Sequence, residues 1–226
     1  MENKFYIIGT PIGNLEDITY RAVKILNKVD LILCEDTRVT ANLLNKYGIK
    51  KPTMSYHSQS KLSKTDKILE MIEGGKTLAL VSDAGTPTIS DPGSVLVSKI
   101  RESFAGIQII AIPGPSALVS ALSISGLPAS EFLFLGFLPH KKGRETLFKE
   151  ISAAKRTVVF YESPHRILKT LESLKKYVEN RKVVIARELT KIYEEVVSGT
   201  ADEVKKYFDK NKDKVRGEFV VMVSEK

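Results

Sequence analysis

Over the first half of the chain, short apolar runs alternate with longer stretches in which apolar residues return every three or four positions. The runs at residues 4–9, 30–35, 77–82 and 107–112 predict strands, with a further extended piece at 53–57. Between them, residues 18–29 place Ala22, Val23, Ile25, Leu26 and Val29 on one helical face. Similar patterns predict helices over 37–47, 63–72, 94–100 and 116–124. Strands separated by helices at this spacing imply a mainly parallel sheet covered on both faces. After Ser125-Gly-Leu-Pro-Ala-Ser130, a Gly/Pro/Ser linker, the rhythm changes. Strands are predicted over 132–138, 157–161, 183–186, 194–198 and 218–223, with helices over 144–154, 164–178 and 201–208. The last strands read as antiparallel neighbours, so this half reads as a mixed α/β domain. The expected organisation is two α/β domains, residues 1–125 and 126–226.

Composition narrows this picture. The 226 residues are 42% hydrophobic and 27% charged, the mix of a soluble globular protein. The single cysteine, Cys34, lies in an apolar run and reads as a buried, inert thiol in a reducing compartment. Met1-Glu-Asn-Lys-Phe5 lacks the pattern of an export signal, and a cytoplasmic location is expected. No charge occurs between Glu102 and Glu131, but Pro113-Gly114-Pro115 divides that stretch into a strand and a small-residue helix. A membrane span is therefore not expected. The net charge of +8 is uneven. Residues 1–125 carry 14 Lys and Arg against 12 Asp and Glu, whereas residues 126–226 carry 21 against 15. A basic second half suggests an anionic partner such as nucleic acid, or simply solvated lysine-rich faces.

Familiar nucleotide motifs are missing. Gly75-Lys76-Thr77 mimics the end of a P-loop, but Glu70 stands where its first glycine belongs, and a strand follows. Gly9-Thr-Pro-Ile-Gly-Asn14 is not a dinucleotide fingerprint. His57, His140 and His165 lack ligand spacing, and no metal is expected. What stands out is the Gly, Pro, Ser and Asp content of loops at strand carboxyl ends: 9–14, 35–38, 82–93 and 112–117. Ligands bind at such ends in open α/β sheets. The Ala84–Gly93 stretch holds no Lys or Arg, which ill suits a triphosphate. Asp83 and Asp91 with backbone carbonyls suit an amine or sulfonium, although both also suit turns. Ser116 reads as a helix cap or a ligand contact.

Together these loops resemble the tetrapyrrole-methylase (class III) superfamily of S-adenosylmethionine methyltransferases. The best match within it is the 16S ribosomal RNA cytidine 2′-O-methyltransferase family. The resemblance is carried by Gly9–Asp17, Cys34-Glu-Asp-Thr-Arg38, Ser82–Gly93, Ile112–Ala117, Tyr161-Glu-Ser-Pro-His-Arg166, Ala186-Arg-Glu-Leu-Thr-Lys191 and Arg216-Gly-Glu-Phe219. It implies two α/β domains with S-adenosylmethionine in a cleft between them, in a homodimer. Pro11 is then expected at the floor of the cleft, and Ser82, Asp83, Ala84, Gly85, Pro87 and Ile89 at the cofactor's methionine end, with Ser116 and Ala117 nearby. Tyr161, Ala186, Glu218 and Phe219 are expected around its adenosine. The implied reaction moves a methyl group to a cytidine 2′-oxygen of 16S rRNA in the small ribosomal subunit. No residue is an obvious proton acceptor; Glu188, Asp36 and His57 are candidates in that order, with Lys191 or Arg38 as electrostatic stabilisers. Glu35, Arg38, Lys141, Lys142, Arg144 and Arg166 are expected to meet RNA, as Lys155 and Arg156 could. The rival readings are methylation of a tetrapyrrole precursor or a modified protein side chain, and a non-catalytic RNA-binding assembly factor with a relic cofactor site.

Overall fold

The computed structural model describes residues 4–57, 62–91 and 93–226, and the chain divides into two compact units after Ser116. In the first unit, β1 (Lys4–Ile8), β2 (Leu31–Cys34), β3 (Thr53–Ser55), β4 (Leu78–Val81) and β5 (Gln108–Ile112) form one parallel sheet of order β3-β2-β4-β1-β5. Every residue of β4 is buried, as a central strand covered on both faces requires. Its side chains alternate: Leu78 and Leu80 pack with Ile68 and Ile72 of α3 (Leu62–Glu73) and Leu96 and Ile100 of α4 (Ser94–Ser103). Ala79 and Val81 face the other way, with Ala22 and Leu26 of α1 (Tyr20–Leu26) and Leu43 and Leu44 of α2 (Thr37–Lys46). Cys34 is fully buried, and burial pushes its thiol pKa up, in keeping with an inert core residue.

Helix α1 is shorter than the apolar periodicity suggests. The Thr19 side chain accepts from the Ala22 amide and sets the helix start, and Leu15–Asp17 forms a separate 3-10 turn capped by Asn14. Helix α2 is capped by Asp36, whose carboxylate accepts from the Arg38 amide.

The second unit opens with α5 (Ala117–Ser125), which packs against β8 (Val183–Arg187) and β10 (Phe219–Val223). The helix is therefore part of the second unit, whereas the sequence pattern puts the division after it, at the Gly/Pro linker. Leu118, Ala121, Leu122 and Ser125 supply its buried face. The second sheet has the order β6-β7-β10-β8-β9, with β6 (Phe132–Phe137), β7 (Thr157–Glu162) and β9 (Glu195–Gly199). Only β6 and β7 are parallel, so the sheet is mixed, as expected. Edge strand β9 alternates between partly buried and exposed residues, in contrast to the wholly buried β8 and β10. One core unites Val158, Phe160, Ile185 and Val221 with α6 (Arg144–Ala153), α7 (Ile167–Tyr177) and α8 (Ala201–Lys210). Helix α8 starts with a full capping box between Thr200 and Glu203.

At the end of β7 a carboxylate is buried with its partners around it. Glu162 Oε1 lies 2.7 Å from Arg166 Nη2 and accepts from the Ser163 amide at 2.9 Å. Its Oε2 accepts from Thr170 Oγ1 at 2.6 Å and lies 3.5 Å from Arg144 Nη2. The Pro164–Arg166 turn that this charge anchors delays the start of α7 to Ile167. Removing the charge leaves two largely buried guanidinium groups unpaired, which typically costs about 3–5 kcal/mol. Glu162→Gln should therefore lower unfolding stability by about 3 kcal/mol, measured by urea titration. A loss under about 1 kcal/mol would show the cluster to be incidental.

Candidate active site and RNA-facing surface

Three loops of the first unit are joined backbone to backbone. The Gly9 amide donates to the Ile112 carbonyl at 3.1 Å, and Thr10 and Gly85 exchange amide-to-carbonyl bonds at 2.8 and 3.0 Å. Thr10 Oγ1 donates to the Ser82 carbonyl at 3.0 Å, and Ser82 Oγ donates to the Gly85 carbonyl at 3.2 Å. A Cβ on Gly9 would lie 2.8 Å from Gly114 Cα, and one on Gly114 would lie 2.7 Å from the Gly9 oxygen. Neither glycine is required by a positive φ; each is required because the other's backbone occupies the space. Gly85 does have a positive φ of 82°, and Thr88 and Ser90 share that region at 76° and 61°. Such non-glycine strain tends to gather at functional sites.

The sequence-predicted residues fall here in two groups. Pro11, Ser82, Gly85 and Pro87 are buried and build the loop framework. Ala84 and Ile89 are exposed, and Asp83, Ser116 and Ala117 are partly buried. Pro92 lies outside the described residues. Thr10, not among the expected residues, is the hinge of the bridge; the only signal for it in the sequence is its place directly after a strand and a glycine.

Acidic groups converge beside these loops. Asp83 Oδ1 accepts from the Asp36 amide at 3.0 Å, tying the β4 loop to the start of α2. Burial, then the charges of Asp83 and Asp36, push Glu35 up, against the pull of His57. Asp91 is pushed up to about 6 by burial and by the negative charges of Glu35 and Asp83, despite a hydrogen bond from Ser82. Asp36 is held down at about 2 by its bonds to Arg38, which pairs with it at 2.6 Å. Among the described residues no group of His, Cys, Asp and Glu could hold a metal ion. The set fits a cationic ligand better than an anionic one: carboxylates, carbonyls and close-packed glycine backbone, without a basic side chain in the loop.

In the second unit Glu188, Lys191 and Glu218 form a second cluster. Lys191 Nζ lies 2.9 Å from Glu188 Oε1 and 3.3 Å from Glu218 Oε2, and Glu188 Oε1 also accepts from the Glu218 amide at 3.2 Å. Gly217 has a φ of 76°, and a Cβ there would overlap the Glu188 carboxylate. Burial alone would raise the Glu188 pKa, but the bonds from Lys191 and the Glu218 amide outweigh it and hold the carboxyl low. For Lys191, burial is outweighed by Glu188 and Glu218, so the ammonium is held above its usual range.

Other expected residues have different surroundings. Tyr161 packs its ring against Phe134 and Phe137 at 5.0 and 5.4 Å. Ala186 is fully buried in β8, and the Phe219 ring sits in the core edge-on to Phe208, which leaves only backbone to meet a ligand. Arg144 and Arg166 are turned inward onto Glu162, with side chains 13% and 16% exposed, so their charge is engaged within the unit. Lys141, Lys142 and Arg38 are exposed, and Glu35 is partly buried. The uncharged stretch consists of β5 and α5, and among the described residues no helix is long and apolar enough to cross a membrane.

Comparison with known proteins follows this architecture. Solved structures of uroporphyrin-III C-methyltransferase from Thermus thermophilus and of a diphthine synthase superpose with TM-scores of 0.66 and 0.74. They share 17% and 13% identity, covering 99% and 98% of this chain and 94% and 89% of theirs, so the likeness is one of fold alone. The family model of tetrapyrrole (corrin/porphyrin) methylases matches residues 4–205. A protein named ribosomal RNA small subunit methyltransferase I from Thermotoga maritima is 48% identical over 99% of both chains. Its namesakes from Escherichia coli O157:H7 and Bacillus subtilis are 45% and 44% identical, over 98% and 96% of this chain and 78% and 74% of theirs. The chain belongs to the tetrapyrrole methylase family and, within it, to the group of ribosomal RNA small subunit methyltransferases I.

Two outcomes follow from the first-unit geometry. Gly114→Ala should lose about 1–3 kcal/mol of stability through overpacking against Gly9, read by thermal unfolding; unchanged unfolding would contradict the close approach. For Asp91, the native state holds a proton more tightly than the unfolded chain, so its contribution is fully present below about pH 4 and lost as pH rises through about 6. Asp91→Asn should therefore match the native protein at pH 4 and exceed it above pH 6. The gain should be on the order of 1 kcal/mol after discounting for solvent screening. A pH-independent difference in Tm would refute the assignment.

Proposed function

We propose that this chain methylates the 2′-oxygen of a cytidine ribose in 16S rRNA of the small ribosomal subunit, using S-adenosylmethionine. The observation that carries the reading is its full-length kinship with the ribosomal RNA small subunit methyltransferases. Its kinship with the solved tetrapyrrole methylases extends only to the fold, which disfavours a tetrapyrrole substrate. The intact loop framework disfavours a relic. A homodimer in the cytoplasm belongs to the same proposal.

The first-unit loops are the proposed seat of the cofactor's methionine end. When bound, the cofactor supplies a methyl group already activated by its sulfonium charge. The residues then need to orient it, exclude water and manage the hydroxyl proton. Ser82, Gly85 and the Gly9–Gly114 crossing present a fixed backbone surface, and this preorganisation reduces the ordering cost of binding. Asp83 and Asp91 offer negative charge to an ammonium or sulfonium. Asp91, half-protonated near pH 6, is the group a cation would most readily return to its ionised form.

For the ribose, the geometry favours Lys191 as an electrostatic stabiliser. Its ammonium is fixed between two carboxylates and kept charged, suited to meet an oxygen on which negative charge develops. Glu188, with a lowered pKa, is a weak proton acceptor and is assigned to hold Lys191 and the loop. The test is to incubate the protein with methyl-labelled S-adenosylmethionine and small subunits lacking the modification, then to map the label. Label on a cytidine ribose is expected; label on a base, or cofactor binding without transfer, would sink the reading. Lys191→Met should lower kcat about 10²–10³-fold with cofactor affinity unchanged, whereas an unaltered kcat would remove Lys191 from the chemistry.

A further inference from the structure

The loop between β8 and β9 presents two adjacent large apolar side chains to solvent: Ile192 is 89% exposed and Tyr193 69%. The loop is held at both ends and in the middle. The Glu188 amide donates to the Glu218 carbonyl at 3.1 Å, the Lys191 amide to the Glu188 carbonyl at 3.0 Å, and the Glu194 amide to the Lys191 carbonyl at 3.0 Å. The Thr190 amide donates to Glu194 Oε2 at 2.5 Å, and Arg187 Nη1 donates to the Tyr193 carbonyl at 3.0 Å. Glu188 and Thr190 both sit at positive φ, 50° and 65°, a strain that persists only where the surroundings over-determine it. The result is a preorganised loop whose exposed tip serves no packing purpose within this unit.

Beside it lies a hollow of about 560 Å³, lined by Arg187, Ile192, Tyr193, Lys214 and Arg216. Arg187 is only 5% exposed, and its Nε has no hydrogen-bond partner. Four acidic side chains line the hollow beside these three cations: Glu195 is engaged by Lys214 at 2.6 Å and by the Tyr207 hydroxyl, Glu194 by the Thr190 amide and Glu188 by Lys191 at 2.9 Å, while Asp213 is exposed. The net field is therefore modest, and an aromatic face is the dominant offering. Unpaired RNA bases are recognised by stacking on such faces, a contact that tolerates mixed charge because every base has a π-face.

We infer that Tyr193, backed by Ile192, is a stacking platform for an unpaired base of the RNA substrate, with Arg216 meeting the adjoining phosphate. This rests on the ribosomal RNA reading and goes beyond it, since it assigns base contact to a loop tip outside the Glu188–Lys191–Glu218 cluster. Because the loop carries Lys191 two residues earlier, a base held there would also restrict where the neighbouring ribose can lie.

The test compares Tyr193→Ala, Tyr193→Phe and Arg216→Ala by methyl transfer to, and binding of, small subunits lacking the modification. Tyr193→Ala should raise KM for subunits about 10-fold or more, with cofactor affinity, melting temperature and the salt dependence of binding unchanged. Tyr193→Phe keeps the ring and should behave as the native protein. Arg216→Ala should instead lower the salt slope by about one. A native KM for Tyr193→Ala, with transfer intact, overturns the platform while leaving the RNA reading standing. Failure of the native protein to label RNA overturns that reading and the platform with it. If Tyr193→Ala weakens binding to subunits but not to protein-free 16S RNA, the loop meets a ribosomal protein and the assignment to a base is wrong.

Discussion

The contact between the backbones of Gly9 and Gly114 is the constraint on which the first unit's loops depend. Adjacent parallel strands bring their carboxyl ends to one edge of a sheet, but they do not by themselves bring the following loops into contact. Here β1 lies between β4 and β5, and its loop is bonded to both: to Gly85 through Thr10 and to Ile112 through the Gly9 amide. Two residues without side chains let the main chains cross at van der Waals distance. What remains is a surface of backbone atoms in fixed positions, flanked by carboxylates that repel one another. That repulsion adds to burial in raising the Asp91 pKa to about 6, and a positive charge placed among the carboxylates would relieve it.

The second unit solves a different problem, the placement of cations. Glu162 draws Arg144 and Arg166 inward and uses them to organise the turn before α7. Glu188 fixes Lys191 and, through Gly217, the path of the chain into β10. In both cases a carboxylate organises a loop, but only the second leaves its cation partly accessible. The basic balance of this half is thus an incomplete guide to how much positive charge its surface offers. Some of its charges hold the protein together, and those that remain outside, such as Lys141 and Lys142, are spread over exposed loops.

Most of the architecture was legible in the chain because apolar periodicity is a local signal. The buried runs of β4, β8 and β10 and the capped amphipathic helices announce themselves within a few residues. The unit boundary did not, because α5 follows directly on the Pro113-Gly-Pro115 turn and only its packing on β8 and β10 shows where it belongs. The candidate loops were visible as Gly, Pro and Asp clusters, yet the reasons for individual residues were not. Nothing near Gly9 in sequence indicates that Gly114 will be its neighbour. Arg144 and Arg166 looked like surface cations because their partner Glu162 ends an otherwise apolar strand, and its burial is a tertiary fact.

The bridge from Thr10 to Gly85 and the crossing of Gly9 with Gly114 join positions far apart along the chain. Such non-local closures come late in folding, since the entropy of long loops must be overcome before they form. During synthesis, β1 emerges first but must wait for β4 and then β5 before its own loop has partners. This loop framework can therefore assemble only after the turn at Pro113 has left the ribosome that makes it. Until then the nascent unit lacks its completed loop framework, however much of its sheet has already formed.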